Sequence, residues 1–101
     1  GGINISANEV DNNLDGCPGV GAHATIGLPD DRLGERICTF VVPSDPAAPP
    51  TQDDLIAYLR ERHVAKRLWP ERIEIIEEIP KTLMGKVRRN VLTDELAARM
   101  A

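Results

Sequence analysis

Residues 20–28 read Val-Gly-Ala-His-Ala-Thr-Ile-Gly-Leu, in which apolar side chains alternate with glycine and polar ones. This period of two is typical of a β-strand with one buried face. The positions predicted to share that face are Val20, Ala22, Ala24, Ile26 and Leu28. His23 falls on the polar face, where we expect a structural or solvated role. A turn at residues 29–31 precedes a nearly continuous apolar run at residues 37–42, so the sequence predicts a hairpin whose second strand is buried on both faces.

The sequence on either side of this hairpin predicts three helices and a third strand. A short helix precedes the hairpin and is ended by Gly16 and Pro18. A second helix opens at Thr51 with the spacing of a capping box. Isoleucine alternates with glutamate at residues 73–75, which predicts the third strand. The last helix starts near Arg88, and its apolar side chains recur every fourth position, at Leu92, Leu96 and Met100. The order α-β-β-α-β-α predicts a small α+β domain, a three-stranded sheet flanked by helices.

The composition limits the possible function classes. The chain has 101 residues, 42% of them hydrophobic, which is enough for one small domain. A net charge of −4 gives no electrostatic reason to expect binding to nucleic acid or to an anionic membrane. No apolar run is long enough for a transmembrane segment, and Cys17 and Cys38 lack a metal-ligand spacing. We therefore expect a cytoplasmic domain with reduced thiols and no metal site of its own.

The segment Pro80-Lys-Thr-Leu-Met-Gly-Lys86 is the main candidate for chemistry. It is predicted to be a loop after the third strand, in which Gly85 allows the backbone to turn and to approach another surface. The flexible cation Lys86 can then stabilise the negative charge that develops as a carboxylate attacks a phosphoryl group. The same residues also fit an ordinary solvated basic surface that includes Arg88 and Arg89. The segment is not a phosphate-binding P-loop, because the first glycine and the Ser/Thr after the lysine are missing.

Three blocks of the sequence resemble a known family. They are Gly-Gly-Ile-Asn-Ile-Ser-Ala-Asn-Glu-Val at residues 1–10, then Gly-Leu-Pro-Asp with Gly-Glu and Phe-Val-Val within residues 27–42, then Pro-Lys-Thr-Leu-Met-Gly-Lys-Val-Arg at residues 80–88. In this order they resemble the C-terminal domain of acyl-CoA synthetases, in the acyl-adenylate-forming superfamily of firefly luciferase and peptide-synthetase adenylation domains. Because the chain begins at Gly1 without an initiator Met, we expect residues 1–101 to be the lid domain of a longer protein with a larger N-terminal domain.

The resemblance implies a two-step reaction in which ATP converts a carboxylic acid into an acyl-adenylate and CoA then displaces AMP. Lys86 is implied to be the adenylation lysine, with Gly85 beside it at the nucleotide. The lid would then rotate and bring Gly1, Gly2 and Ile3 to the CoA channel. ATP and CoA are the implied substrates, Mg²⁺ is expected in the full-length enzyme but not on this domain, and the isolated domain is expected to be inactive. The implied partners are the enzyme's own N-terminal domain and a lysine acetyltransferase acting on Lys86.

Two other functions stay open on the sequence. A peptide-synthetase adenylation domain would load a carrier protein instead of CoA, although its first block more often contains arginine. A non-catalytic α+β interaction module would use Lys86 only as a surface charge. Leu68 departs from the family pattern, since a lysine is common there, and neighbouring Lys66 and Arg67 are candidates to replace it. The acid substrate is not predicted, because its pocket is expected in the other domain.

Overall fold

The computed structural model describes residues 5–30 and 34–100. The helices are α1 (Ile5–Asn13), α2 (Gln52–Glu61) and α3 (Arg89–Met100), the strands are β1 (Val20–Asp30), β2 (Gly34–Pro43) and β3 (Arg72–Ile75), and a short 3-10 helix spans Lys66–Leu68. The predicted order α-β-β-α-β-α and the α+β class are confirmed. No helix in the described part of the chain is both long enough and apolar enough to cross a lipid bilayer.

The strands form one sheet in the order β1-β2-β3, with β2 in the centre. β1 and β2 pair antiparallel, as the predicted hairpin requires, and Ala24 lies opposite Phe40. β3 pairs parallel to β2, with Ile73 opposite Thr39. Parallel neighbours need a long crossover connection, and the segment that contains α2 provides it.

Two hydrophobic clusters cover the two faces of the sheet. Because successive residues of a strand point to opposite faces, Ile37 and Val41 of β2 pack with α1 and α2, whereas Cys38 and Phe40 pack with α3. The first cluster consists of Ala7, Val10, Leu14, Cys17, Ile37, Val41, Leu55, Leu59 and Leu68. The second consists of Ala24, Ile26, Cys38, Phe40, Ile79, Leu92 and Leu96. The prediction that the second strand is buried on both faces is confirmed.

Two residues lie off the apolar faces that the sequence predicted, Val20 in β1 and Met100 in α3. Val20 packs against the first cluster and Ala22 against the second, although the alternation placed them together. The register shifts between these two residues, and one extra residue in a strand reverses which face its side chains reach. At the end of α3, Met100 is 56% exposed, so the apolar stripe of this helix buries only Leu92 and Leu96.

A polar network attaches α1 to the sheet. His23 Nδ1 lies 2.9 Å from Asp11 Oδ1, and its Nε2 lies 2.8 Å from Asp15 Oδ1. The Thr25 hydroxyl donates to the same Asp11 oxygen and lies 2.8 Å from the hydroxyl of Thr39. Both threonines are fully buried, and each finds its hydrogen-bond partner within this network. Of the two roles expected for His23, the structure supports the structural one.

Candidate functional site

Residues 80–88, which include the loop predicted at residues 80–86, form a tight β-hairpin. Lys81 and Val87 form an antiparallel bridge. The Arg88 N–H donates to the Pro80 carbonyl at 2.9 Å, and the Thr82 N–H donates to the carbonyl of residue 86 at 2.8 Å. The segment is therefore more regular than the sequence predicted, because backbone hydrogen bonds connect its two arms.

The hairpin closes through a three-residue loop at residues 83–85. The Gly85 N–H donates to the Thr82 carbonyl at 2.9 Å, and the Lys86 N–H donates to Thr82 Oγ1 at 3.1 Å. Gly85 has a φ of 84°, the left-handed value that the last position of such a loop requires. A Cβ at Gly85 would meet no atom within 4 Å among the described residues, so its backbone conformation, rather than a close neighbour, requires glycine here. The approach of Gly85 to another surface stays a prediction.

The base of the hairpin is fixed to the body of the domain. Val87 packs against the second hydrophobic cluster, and Ile79, just before the hairpin, is 6% exposed. At the start of α3, the Arg89 guanidinium donates to Asn8 Oδ1 of α1 at 3.2 Å. Core packing on both sides therefore sets the position of the hairpin, while its tip extends into solvent.

Unneutralised positive charge collects on this hairpin. The side chains of Lys81, Lys86 and Arg88 are exposed, and none of them forms an ion pair with another described residue. An open groove lined by Thr82 and residues 86–90 runs beside Lys86. Cations without protein partners are available to bind an anionic group such as a carboxylate or a phosphate.

The arginines near β3 have a different arrangement. Arg72 and Arg99 both bind the Glu74 carboxylate, at 2.6 Å and 3.0 Å. Burial favours the neutral form of Glu74, but the hydrogen bonds from the two arginines outweigh it and hold the pKa of this carboxyl below its usual value. These arginines are already neutralised, which distinguishes them from the cations of the hairpin.

The two cysteines are core residues and not nucleophiles. Both are buried and free. Burial raises the pKa of the Cys38 thiol to about 12 and also raises the pKa of the Cys17 thiol, so neither forms the reactive thiolate at neutral pH. Within residues 5–30 and 34–100, no group of three His, Cys, Asp or Glu side chains is arranged to hold a metal ion.

A family model ties this geometry to a class of enzymes. The model, described as the AMP-binding enzyme C-terminal domain, matches residues 9–86 and so ends at Lys86. The chain belongs to this family. The match to the AMP-binding enzyme C-terminal domain ends within the hairpin, and the predicted resemblance to the superfamily is confirmed.

Two relatives of this AMP-binding enzyme C-terminal domain are named as ligases. Over 100 residues it is 39% identical to 2,3-dihydroxybenzoate-AMP ligase of Bacillus subtilis and 34% identical to medium-chain fatty-acid–CoA ligase of Escherichia coli. Each alignment covers 99% of this chain and 18% of the relative. The apo structure of MbtA from Mycobacterium smegmatis is similar with a TM-score of 0.78 and 33% identity, covering 87% of this chain and 16% of that one. The chain thus spans less than a fifth of the length of these proteins.

The structure describes only some of the predicted site residues. Gly85 and Lys86 lie together in the hairpin. Gly1, Gly2 and Ile3, predicted to form the CoA-channel loop, lie outside the described residues. Leu68, which was predicted to depart from the family pattern, is 8% exposed and belongs to the first hydrophobic cluster. Lys66 and Arg67 next to it are exposed, so this surface keeps its positive charge.

One feature of the hairpin was not predicted. Leu83 and Met84 are 107% and 93% exposed, the highest values among the exposed large hydrophobic side chains in the described part of the chain. The only signal in the sequence is that two large apolar residues occupy turn positions, where Gly, Asn, Asp and Ser are common.

Proposed function

We propose that this domain is the C-terminal part of a larger ATP-dependent ligase that activates a carboxylic acid as its acyl-adenylate and transfers the acyl group to CoA. The observation that carries the proposal is Lys86, an exposed lysine without an ion pair among the described residues, on a rigid hairpin at the end of the family match. Relatives named as AMP and CoA ligases support the reaction class. The larger N-terminal domain would bind the acid, the nucleotide and Mg²⁺.

In the first half-reaction a carboxylate oxygen attacks the α-phosphorus of ATP. The bond from that phosphorus to the oxygen bridging to the β-phosphorus breaks, and pyrophosphate leaves with the electron pair. The Lys86 ammonium stabilises the negative charge on the reacting carboxylate and on the α-phosphate oxygens in the transition state. The hairpin supports this role because its hydrogen bonds fix the backbone of Lys86 beyond the body of the domain.

In the second half-reaction the domain rotates about its connection to the larger domain. Lys86 leaves the site, and residues 1–3 reach the CoA channel. The CoA sulfur loses its proton and attacks the acyl carbon, and the bond from that carbon to the AMP phosphate oxygen breaks, which gives a thioester and AMP. A rotation of this kind uses one site for two reactions, as closing domains do in other enzymes.

The test is the Lys86→Ala substitution in the full-length protein, with the two half-reactions measured separately. Pyrophosphate exchange into ATP reports the first step, with 2,3-dihydroxybenzoate and octanoate as probe acids. We expect a loss of about 10²-fold or more in this step, the scale for removing one preorganised charge-stabilising group. Supplied acyl-adenylate should still be consumed by CoA at the wild-type rate.

Lys81→Ala is the matched control, because Lys81 is an exposed lysine on the same hairpin, five positions earlier. It should leave both half-reactions within about twofold of wild type, as expected for a solvated surface charge. If Lys86→Ala also leaves both half-reactions within about twofold of wild type, Lys86 is a surface residue and the non-catalytic interaction module becomes the better hypothesis.

A second candidate differs in the acceptor. Fatty acid–[acyl-carrier-protein] ligase ScoC of Streptomyces coeruleorubidus is 37% identical over 93 residues, and that name favours a carrier-protein thiol in place of CoA. Offering free CoA and a phosphopantetheinylated carrier domain to the full-length protein separates the two. Thioester on CoA supports the first proposal, and thioester only on the carrier supports the second.

The cysteines bear on the compartment. Cys17 and Cys38 are both free thiols. Free thiols persist in the reducing environment of the cytosol, and we propose that the enzyme works there.

A further inference from the structure

The tip of the hairpin, Leu83 and Met84, exposes two large apolar side chains beside the proposed catalytic lysine. Met84 and Lys86 are separated only by Gly85. Single exposed apolar residues are ordinary on protein surfaces, but these two are adjacent, almost completely exposed and placed at turn positions. Residues that break a local rule in this way are expected at functional sites. We therefore expect another surface to cover the tip when the hairpin takes part in the reaction.

The tip and Lys86 must move together. Thr82 closes the loop with three hydrogen bonds. Its N–H donates to the carbonyl of residue 86, its carbonyl accepts from the Gly85 N–H, and its hydroxyl oxygen accepts from the Lys86 N–H. Any motion that brings Lys86 to a reacting carboxylate also carries Leu83 and Met84 to the wall of the same site. The occupant that covers the tip is therefore the surface of the larger domain that surrounds the reacting groups.

Covering the tip would serve the chemistry. An ammonium stabilises developing charge more strongly when water is excluded, because the effective dielectric constant around it falls. Water is also a competing nucleophile: its oxygen attacks the acyl carbon of the adenylate, the bond to the phosphate oxygen breaks, and the free acid and AMP result. Two apolar side chains packed next to Lys86 would exclude water, which would strengthen the charge stabilisation by the ammonium and prevent hydrolysis of the adenylate.

We infer that Leu83 and Met84 form an apolar closure of the adenylation site, which packs against the larger domain as Lys86 enters and excludes water from the acyl-adenylate. The inference rests on the proposed function. It makes these two side chains positioning residues for Lys86, and it predicts that their hydrophobic character, rather than their individual shapes, is what the reaction requires.

The experiment compares Leu83→Ser/Met84→Ser with wild type in the full-length protein, using the same probe acids. The first half-reaction should slow about tenfold, which corresponds to losing part of the free energy of burying apolar side chains. In the presence of CoA, the ratio of AMP released to thioester formed should rise above wild type, because adenylate is lost to water. Consumption of supplied acyl-adenylate by CoA should be unchanged.

Two further variants make the result specific. Leu83→Met/Met84→Leu keeps the apolar character and should restore the wild-type ratio of AMP to thioester. Met100→Ser removes another exposed methionine, 56% exposed at the end of α3, and should leave both steps unchanged. A structural role for the tip would lower the melting temperature or slow both half-reactions equally, and either result would overturn the inference.

Comparing the serine double variant with Lys86→Ala separates the apolar closure from the proposed catalytic role of Lys86. If the serine double variant has wild-type rates and ratio while Lys86→Ala loses adenylation, Lys86 acts without an apolar closure and only the inference is wrong. If Lys86→Ala also has no effect, the proposed function is wrong and the inference is wrong with it.

Discussion

Raising the pH through the pKa of His23 is expected to loosen α1 from the sheet. Both ring nitrogens lie within 2.9 Å of a carboxylate oxygen, one from Asp11 and one from Asp15. Only the imidazolium has two N–H groups with which to donate to both. The hydrogen bond to Asp11 is the main cause that raises the pKa of His23; burial opposes it, while the charge of Asp11 and the contact with Asp15 add to it. The two aspartates accept two further hydrogen bonds, both from neutral hydroxyls. Thr25 donates to the Asp11 carboxylate, and Tyr58 donates to the backbone carbonyl of Asp15.

The direction and the size of the change in the free energy of unfolding follow from these contacts. Because the pKa is raised in the folded state, the stabilisation is fully present below the unfolded value of about 6.5 and is lost as the pH rises through the folded pKa. The Asp15 side chain is 76% exposed, so its contact contributes only about 0.2–1 kcal/mol. Asp11 is 24% exposed and His23 11%, which places their charge-assisted bond nearer to about 1.5 kcal/mol. Neutral His23 keeps one bond, so we expect a loss of about 1–2 kcal/mol in the free energy of unfolding.

Urea unfolding of this chain, followed by the fluorescence of its single tryptophan, Trp69, measures the effect. With a slope of about 1 kcal/mol per molar urea for a small domain, the midpoint should fall by roughly 1–2 M between pH 6 and pH 9. The control is His23→Gln, which can hydrogen-bond but does not titrate, and the relevant quantity is the difference between the two pH profiles. A flat difference, or one in which wild type gains stability with pH, would refute the reasoning.

Three further outcomes are expected. His63 lies two residues after the last residue of α2, has a φ of 62°, and its backbone N–H donates to the Arg60 carbonyl. Glycine usually holds this position, so His63→Gly should stabilise the domain by about 0.5–1 kcal/mol in the same urea assay, whereas His63→Ala should not. The isolated chain should catalyse no pyrophosphate exchange with either probe acid, and detectable turnover would show that it holds a complete site. Acetylation of Lys86 should lower adenylation by about 10²-fold, like Lys86→Ala, because it removes the charge; mass spectrometry that finds Lys81 acetylated but never Lys86 would contradict regulation at this site.

The sequence predicted those parts of the fold that depend on local patterns. The alternation at residues 20–28 and the apolar run at residues 37–42 were enough for β1, β2 and their antiparallel pairing. The predicted face of Val20 was wrong because a single-residue irregularity in a strand does not change its amino-acid composition. The left-handed backbone of His63 also escaped prediction, since its usual signal is a glycine.

The candidate site was likewise predicted only where a local sequence pattern marks it. Gly85 followed by Lys86 is visible in the sequence, and the hydrogen bonds of Thr82 then explain how the pair is held. The exposure of Leu83 and Met84 depends on which side chains the core buries, and only the three-dimensional arrangement reveals it. The role of residues 1–3 depends on a surface that other parts of the enzyme would supply, so it stays a prediction.

Stability and proposed chemistry are carried by different residues of the same segment. Ile79 and Leu92, on either side of the hairpin, are buried in the second cluster and fix its base. Lys86 makes no ion pair with a described residue, so replacing it should change the free energy of unfolding by no more than about 0.5 kcal/mol, the usual range for surface positions. Leu92→Ala should instead destabilise the domain by about 2–5 kcal/mol, because it leaves a cavity in the second cluster. A change in activity at Lys86 without a change in stability would therefore report on the reaction itself.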